Sequence, residues 1–290
     1  MAGDNKGIAL IAVLWGLLLL SLIAAGVLNG ARSEAQLTRS ALEAAKARAL
    51  ADAGVRRAIL ALSGPEIEAG WRRDGTPVAW PFGEGEVSIS IRDEAGKVDL
   101  NRAPVRLLKG LFAAAGLDAR DAAALADAVA DFRDDNDLKR LNGAEDRDYR
   151  AAGRERGAKD APFDRIEELR QVLGMTPALF ARVRHAVTVH ARRARIDPQS
   201  APRLALLAAS DRDPDAVEVF LERRAAEGGE AEVGVLDVSA SPDLLSSGRP
   251  SKTFGIRAEA RTAAGTVFVR RAVVRIRRNT GRMARIESWE

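Results

Sequence analysis

Apolar side chains follow three rhythms along this chain, and each predicts a different kind of element. Residues 8–28, IALIAVLWGLLLLSLIAAGVL, are apolar on every side and hold no charge, with Ser21 as the one hydroxyl. At about 1.5 Å of rise per residue, a helix of that length reaches about 30 Å, the thickness of a bilayer's hydrocarbon core. The pattern stays helical to Leu62, with no proline and with Gly30 and Gly54 as the only glycines of residues 29–62. Leu42, Ala45, Ala49 and Ala53 recur at steps of three and four, on one face. The expectation is one helix, a transmembrane segment over 8–28 continued by an amphipathic half over 29–62.

The second rhythm is strict alternation. Residues 86–92, EVSISIR, set Val87, Ile89 and Ile91 against polar neighbours, as in a half-buried strand, and residues 94–97 form a turn. Near the other end, residues 253–261 and 266–277 alternate around Ala264-Gly265, which predicts a hairpin, and ARIESWE adds a last short strand ending at Trp289. Residues 63–85 are rich in glycine and proline and predict no regular element, only Trp71 and Trp80 as packing anchors. Thr188, between Val187 and Val189, reads as a strand position.

The third rhythm lies between the strands. Helices are predicted over 105–115, Ala119–Arg133, 165–173, 177–186 and Arg203–Ala209. Strand sequence at both ends with helical sequence in the middle means an α+β domain carrying a helical insertion. That insertion holds a repeat: residues 98–104, VDLNRAP, and 196–202, IDPQSAP, share the form apolar-Asp-x-amide-x-Ala-Pro. Each copy leads into a leucine-bearing helix, where an early proline lacks only an N–H that would have had no partner. Gln199 stands in the second copy where Asn101 stands in the first.

Residues 163–189, FDRIEELRQVLGMTPALFARVRHAVTV, resemble one half of a helix-hairpin-helix or SAM-like unit. DNA-binding versions use a Gly-x-Gly hairpin to bring backbone N–H groups to a phosphate. Here Thr176 replaces the second glycine after Gly174, and the first copy, at Gly116, puts Asp118 where a phosphate would lie. With 45 basic and 41 acidic residues and a net charge of +4, the chain has no nucleic-acid signature.

At 290 residues and 47% hydrophobic content, the part beyond the anchor is long enough for one large or two modest domains. There is no cysteine, so a core or bound ions must hold it. Residues 131–149, DFRDDNDLKRLNGAEDRDY, carry the candidate chemistry. Asp131, Asp134, Asp135, Asn136, Asp137, Glu145, Asp146 and Asp148 crowd around an Asn142-Gly143 turn. A hard cation with six to eight oxygen ligands relieves such crowding, and calcium suits a flexible oxygen-rich loop better than magnesium. Zinc is disfavoured, since the only soft ligands are His185 and His190. The plain alternative is a solvated acidic loop countered by Arg133, Lys139, Arg140 and Arg147. The pattern is not that of an EF-hand, because no glycine takes the sixth position. Glu167 and Glu168 are helix neighbours pointing apart, and no serine or histidine sits in a nucleophile context, so no enzyme is expected.

Three readings compete for the apolar N-terminus. A cleaved secretory signal would need a more basic leader and a shorter apolar core, and a plain signal anchor is the second. The third starts from Lys6-Gly7 directly before the run, which resembles a type IV pilin-like protein cut after Gly7 by a prepilin peptidase, with Ile8 as first mature residue. Such proteins carry a glutamate at the fifth mature position; here it is Ala12. The opening IALIAVLW, the missing glutamate, VDLNRAP, DFRDDND followed by NGAED, FDRIEELRQVLGM and the closing FGIRAEARTAAGTVFVRRAVVRI together resemble the minor pseudopilin K family of the type II secretion system.

That resemblance implies a type IV pilin-like fold, a long N-terminal helix plus antiparallel sheet, with a large all-α SAM-like domain inserted between strands. It divides the chain into a leader (1–7), the membrane segment (8–28), the amphipathic continuation (29–62), a pseudopilin core (63–97 and 232–290) and the insertion (98–231). It implies a structural calcium ion on Asp134, Asn136, Asp137, Glu145 and Asp146. It also implies partnership with minor pseudopilins I, J and H, the prepilin peptidase and the inner-membrane assembly platform. The protein would sit in a Gram-negative inner membrane as a single-pass subunit with its soluble part in the periplasm, and would cap the pseudopilus. The face bearing Leu42 and Ala45 would pack on partner helices. The alternative is a pilin-like part of a type IV pilus or DNA-uptake machine.

Overall fold

The computed structural model of the chain describes residues 6–64, 71–210, 213–226, 243–246, 251–277 and 284–290, with the side chains at 6–9, 11 and 27–32 outside that description. Helix α1 (Lys6–Ser63) runs unbroken for 58 residues, ending where Gly64-Pro65 cannot continue it. Its second half lies on a five-stranded sheet through Ala47, Ala51, Val55, Ala58 and Leu62, all buried. At the crossing point, a Cβ on Gly54 would stand 2.7 Å from Val87 Cγ1 and 3.0 Å from the Ala258 Cβ, so only glycine lets helix and sheet approach this closely.

The face marked by Leu42, Ala45 and Ala49 points away, and Leu42 is 55% exposed. An alanine-rich helix offers several equivalent stripes, and the one chosen by the sheet contains the glycine. The first half of α1 leaves the body altogether, with Leu14, Trp15, Leu18 and Ile23 exposed. Among the described residues no helix is long and apolar enough to cross a membrane. The expected span at 8–28 lies partly outside them, as do the side chains at the expected processing site, Gly7 and Ile8.

The five-stranded sheet is antiparallel throughout, in the order β1 (Asp74–Phe82), β2 (Gly85–Asp93), β5 (Thr253–Thr262), β6 (Val267–Ile276) and β7 (Ala284–Trp289). β2 matches the predicted alternation. β1 occupies a stretch for which no element is expected, because Gly75, Pro77 and Pro81 disguise it. Proline is tolerated at a sheet edge, where a missing N–H breaks no central ladder. Trp80 stacks on Phe82 at 4.5 Å, and Trp71 lies under Arg57.

Between β2 and β5 sits the helical body. It opens with a 3-10 turn (Glu94–Gly96) and β3 (Val98–Asp99), followed by α2 (Val105–Ala114), α3 (Ala119–Arg133) and α4 (Asp146–Ala151). After these come a 3-10 helix (Ile166–Gln171), α5 (Pro177–Val183), β4 (Val187–Thr188), α6 (Arg203–Ala209) and α7 (Pro214–Ala226). The chain returns to the sheet with β5 (Thr253–Thr262), β6 (Val267–Ile276) and β7 (Ala284–Trp289). The fold is therefore mixed, helix with antiparallel sheet, and the helical segment falls between strands as expected.

Three helical details differ from expectation. Residues 166–171 wind as 3-10 rather than α, while α4 and α7 were not anticipated, α4 being hidden in charge-rich loop sequence. α7 starts where Asp213 Oδ1 accepts from the N–H groups of Asp215 and Ala216, both at 3.1 Å. Leu244 and Leu245 belong to the helical core, and Leu245 bridges Ile196, so that body extends past residue 231.

The repeat is structural. Buried Asp99 and Asp197 each accept from the backbone N–H two residues on, Asn101 at 2.8 Å and Gln199 at 3.2 Å. An arginine from a later helix then closes each turn at equivalent carbonyls. Arg133 donates to Leu100 O and Ala103 O, and Arg224 donates to Pro198 O at 2.9 Å and Ala201 O at 2.8 Å. The helices that follow, α2 and α6, pack so closely that a Cβ on Gly110 would stand 2.3 Å from Ala208 O.

Gly54→Leu is expected to lower stability by about 1–3 kcal/mol by overpacking the helix–sheet crossing, and Arg224→Ala by about 2 kcal/mol by orphaning two buried carbonyls. Denaturant titration of each full-length variant checks both.

Candidate metal centre

The acidic loop hangs from the last turns of α3. Asp127 accepts from Asn142 N at 3.2 Å and Asn142 Nδ2 at 3.1 Å. One turn on, fully buried Asp131 accepts from Arg140 N at 3.1 Å. Gly143 lies so close that a Cβ would meet Asp131 Oδ2 at 1.8 Å. The predicted Asn142-Gly143 turn is thus tied to α3 through two carboxylates, and the glycine is needed for space. On the far side, α4 takes its start from Glu145, whose N–H donates to Asp148 Oδ2 at 3.0 Å. Asp148 Oδ1 also holds Lys139 at 2.6 Å.

A third segment closes the site. Asn101, the amide of the first repeat copy, accepts from Phe163 N at 2.7 Å and donates to Phe163 O at 2.9 Å. This pair fixes the segment that carries Asp160, held at φ +52°, a left-handed conformation that aspartate tolerates better than most residues. The result is a convergence of Asp137, Glu145 and Asp160, with one carboxylate oxygen from each lying within 4.8 Å of the others.

The electrostatics are those of an unneutralised cluster. Burial first, and then Asp131, Asp160, Asp134 and Asp137, push the Glu145 carboxyl up to about 7. Burial and neighbouring Asp137, Asp146 and Asp134 likewise raise Asp160. Glu145 Oε1 and Asp131 Oδ1 are buried without a hydrogen-bond partner; Arg140 Nε stands 3.2 Å from the latter without hydrogen-bonding alignment. Oxygens sharing one calcium ion at about 2.3–2.6 Å can be no more than about 5 Å apart. The three converging oxygens meet that condition.

Of the five expected ligands, the structure brings Asp137 and Glu145 together. Asp134 caps the end of α3, accepts from Asn136 Nδ2 at 3.0 Å and leans toward Arg140 at 3.6 Å. Asn136 Oδ1 accepts from Leu138 N at 3.0 Å. Asp146 pairs with Arg150 at 2.7 Å and lies against Gly157. Asp160 was missed because it lies beyond the acidic run. The available signal was Asn101, whose amide joins the two segments.

Residues 89–192 match the family model for Type II secretion system (T2SS), protein K. That span runs from β2 through β4 and includes the whole acidic site. No curated protein matches the chain. Among solved structures, the fold is similar to a chain of the GspK-GspI-GspJ complex from the enterotoxigenic Escherichia coli Type 2 Secretion System. The TM-score is 0.61 at 20% identity, covering 89% of this chain and 98% of that one.

With the site ion-free, folded Glu145 keeps a proton that the unfolded chain releases above its ordinary value of 4.5. The stability this supplies is full below 4.5 and is lost as pH climbs through about 7. Thermal melts in chelator across that window should show the decline, and Glu145→Gln should flatten it.

Proposed function

We infer, from the type II secretion protein K domain that the chain carries, that it is a minor pseudopilin serving protein secretion by that system. The observation that carries this is the match over residues 89–192, placed between the strands of a helix-plus-sheet body. The fold is read as pilin-like: a protruding N-terminal helix laid across an antiparallel sheet, with a SAM-like helical body inserted. The work is assembly and not catalysis.

The free half of α1 supports membrane anchorage and later packing in a filament. Apolar side chains such as Leu14, Leu18 and Ile23 are exposed where they cannot persist in water. Cleavage after Gly7 would leave Ile8 as the new N-terminus. In a filament core, a neighbour's terminal ammonium needs a carboxylate, and an unpaired charge there costs several kcal/mol. Ala12 offers none. A subunit so built suits the tip, with the helical body blocking addition above it and partners I and J alongside. Pseudopilin H would sit below, and growth would begin from the assembly platform. Face-on packing of Leu42, Ala45 and Ala49 against partner helices would supply the apolar burial.

The acidic site would hold a structural calcium ion through Asp137, Glu145 and Asp160, with Asp134, Asn136 and Asp146 close enough in sequence to complete the shell. The ion would neutralise the cluster and join the acidic loop, the start of α4 and the 157–162 segment.

Deleting the chain should stop export of type II substrates, and the chain should co-purify with pseudopilins I and J; continued export would refute the assignment. Ala12→Glu should move the protein from filament ends to positions along the filament, read by immunogold labelling. Calcium at a hundred times its Kd should stabilise the chain by about 2.7 kcal/mol, and Glu145→Gln or Asp160→Asn should reduce that gain. A melting temperature indifferent to chelator would remove the ion.

A further inference from the structure

The face of the sheet turned away from α1 does not meet the helical body flush. A cleft of 790 Å³ remains between them, floored by Ser90, Arg257 and Arg271 and walled by the segments around Arg165 and Arg184. That volume lies within the range of about 300–1,000 Å³ typical of ligand pockets. It has room for several residues of extended chain rather than one ion.

Charge on this floor is arranged against the fold's own stability. Ser90, Arg257 and Arg271 stand in one cross-strand row, so two guanidinium-bearing residues are direct neighbours on β5 and β6. Like charges opposed in this way destabilise a sheet. Arg257 is relieved by Glu259, but Arg271, Arg184 and Arg165 make no ion pair among the described residues. Three of the five acids of the cleft are already paired, Glu94 with Lys97 at 2.6 Å, Asp164 with Lys159 at 2.7 Å and Glu287 with Arg275 at 3.3 Å, while Glu167 makes no ion pair among the described residues and Glu290 stands opposite Arg271 through two main-chain hydrogen bonds. The imidazole of His185 lines the same cleft. Burial first, and then Arg184, Lys97, Arg271 and Arg92, hold it below its ordinary value.

We propose that this cleft is a docking groove for an extended acidic segment of a partner protein, whose carboxylates pair with Arg184 on the wall and Arg271 on the floor. The pairing supplies Arg184 with a partner, adds to the charge that Glu290 brings to Arg271, and draws the segment along the Ser90–Arg257–Arg271 row. Salt weakens it, because the guanidinium groups remain partly open to solvent. The groove lies apart from the acidic site and from α1, so it depends on neither the calcium reading nor the tip reading.

The test is fluorescence anisotropy on the full chain in detergent, using a labelled peptide of alternating Glu and Gly and its Gln-for-Glu counterpart. The Glu peptide should bind and the Gln peptide should not. Arg184→Glu with Arg271→Glu should weaken binding at least about tenfold, while Arg120→Glu on α3 leaves it unchanged. Equal binding of both peptides, or full affinity in the folded double variant, overturns the proposal. If the double variant melts early, Arg184→Gln and Arg271→Gln made singly should each weaken binding, and unchanged affinity in both overturns it. Displacement of the peptide by millimolar inorganic phosphate would reassign the groove to small anions; persistence of binding supports the peptide.

Discussion

Everything in the helical body hangs on two buried aspartate turns, each shut by a guanidinium. Asp99 and Asp197 fold the chain back on itself, and Arg133 and Arg224 cover the carbonyls that such a fold exposes. A turn buried without those donors would leave several backbone oxygens unsatisfied, at about 1–3 kcal/mol each. The helices that leave the turns, α2 and α6, are thereby aimed at one another and meet at Gly110. The two copies stand 98 positions apart, from Asp99 to Asp197, and the intervening chain has space to carry a loop devoted to something other than packing.

That loop inherits its order from the first turn. Arg133 ends α3 by reaching back to it, so the acidic residues that follow begin from a fixed point. Asn101, within the same turn, grips Phe163 and delivers Asp160 from the other direction. A site made of three distant residues, Asp137, Glu145 and Asp160, is thus assembled by one short motif. The electrostatic penalty of the cluster is tolerated because the core beneath it, with Phe132, Tyr149 and Phe163, is already closed.

Periodicity made most of the architecture legible. The strands β2, β5 and β6 follow the alternation, β7 forms where a last short strand is expected, and α3 and α6 fall on their predicted limits. β1 escaped because its prolines and Gly75 erase the alternation, although they suit an edge. The packing stripe of α1 escaped for the opposite reason: alanine is so frequent there that spacing could not choose a face, and Gly54 chose it through contact with Val87 and Ala258. The acidic run was visible as chemistry, and two members of the converging set, Asp137 and Glu145, lie inside it. Asp160 left no spacing signal, because it comes from a separate loop and joins the set only through the contact of Asn101 with Phe163.

The prolines of β1 carry one more consequence. Pro77 and Pro81 bring no N–H to the outer margin of the sheet, and a register shift between Asp74 and Pro77 roughens the same margin. A foreign strand arriving there finds an interrupted ladder, so polymerisation by strand donation is closed to this subunit from that side. Contact at that margin falls to side chains, where specificity can be written residue by residue. That blunt margin protects the chain from being recruited into sheets it does not belong to.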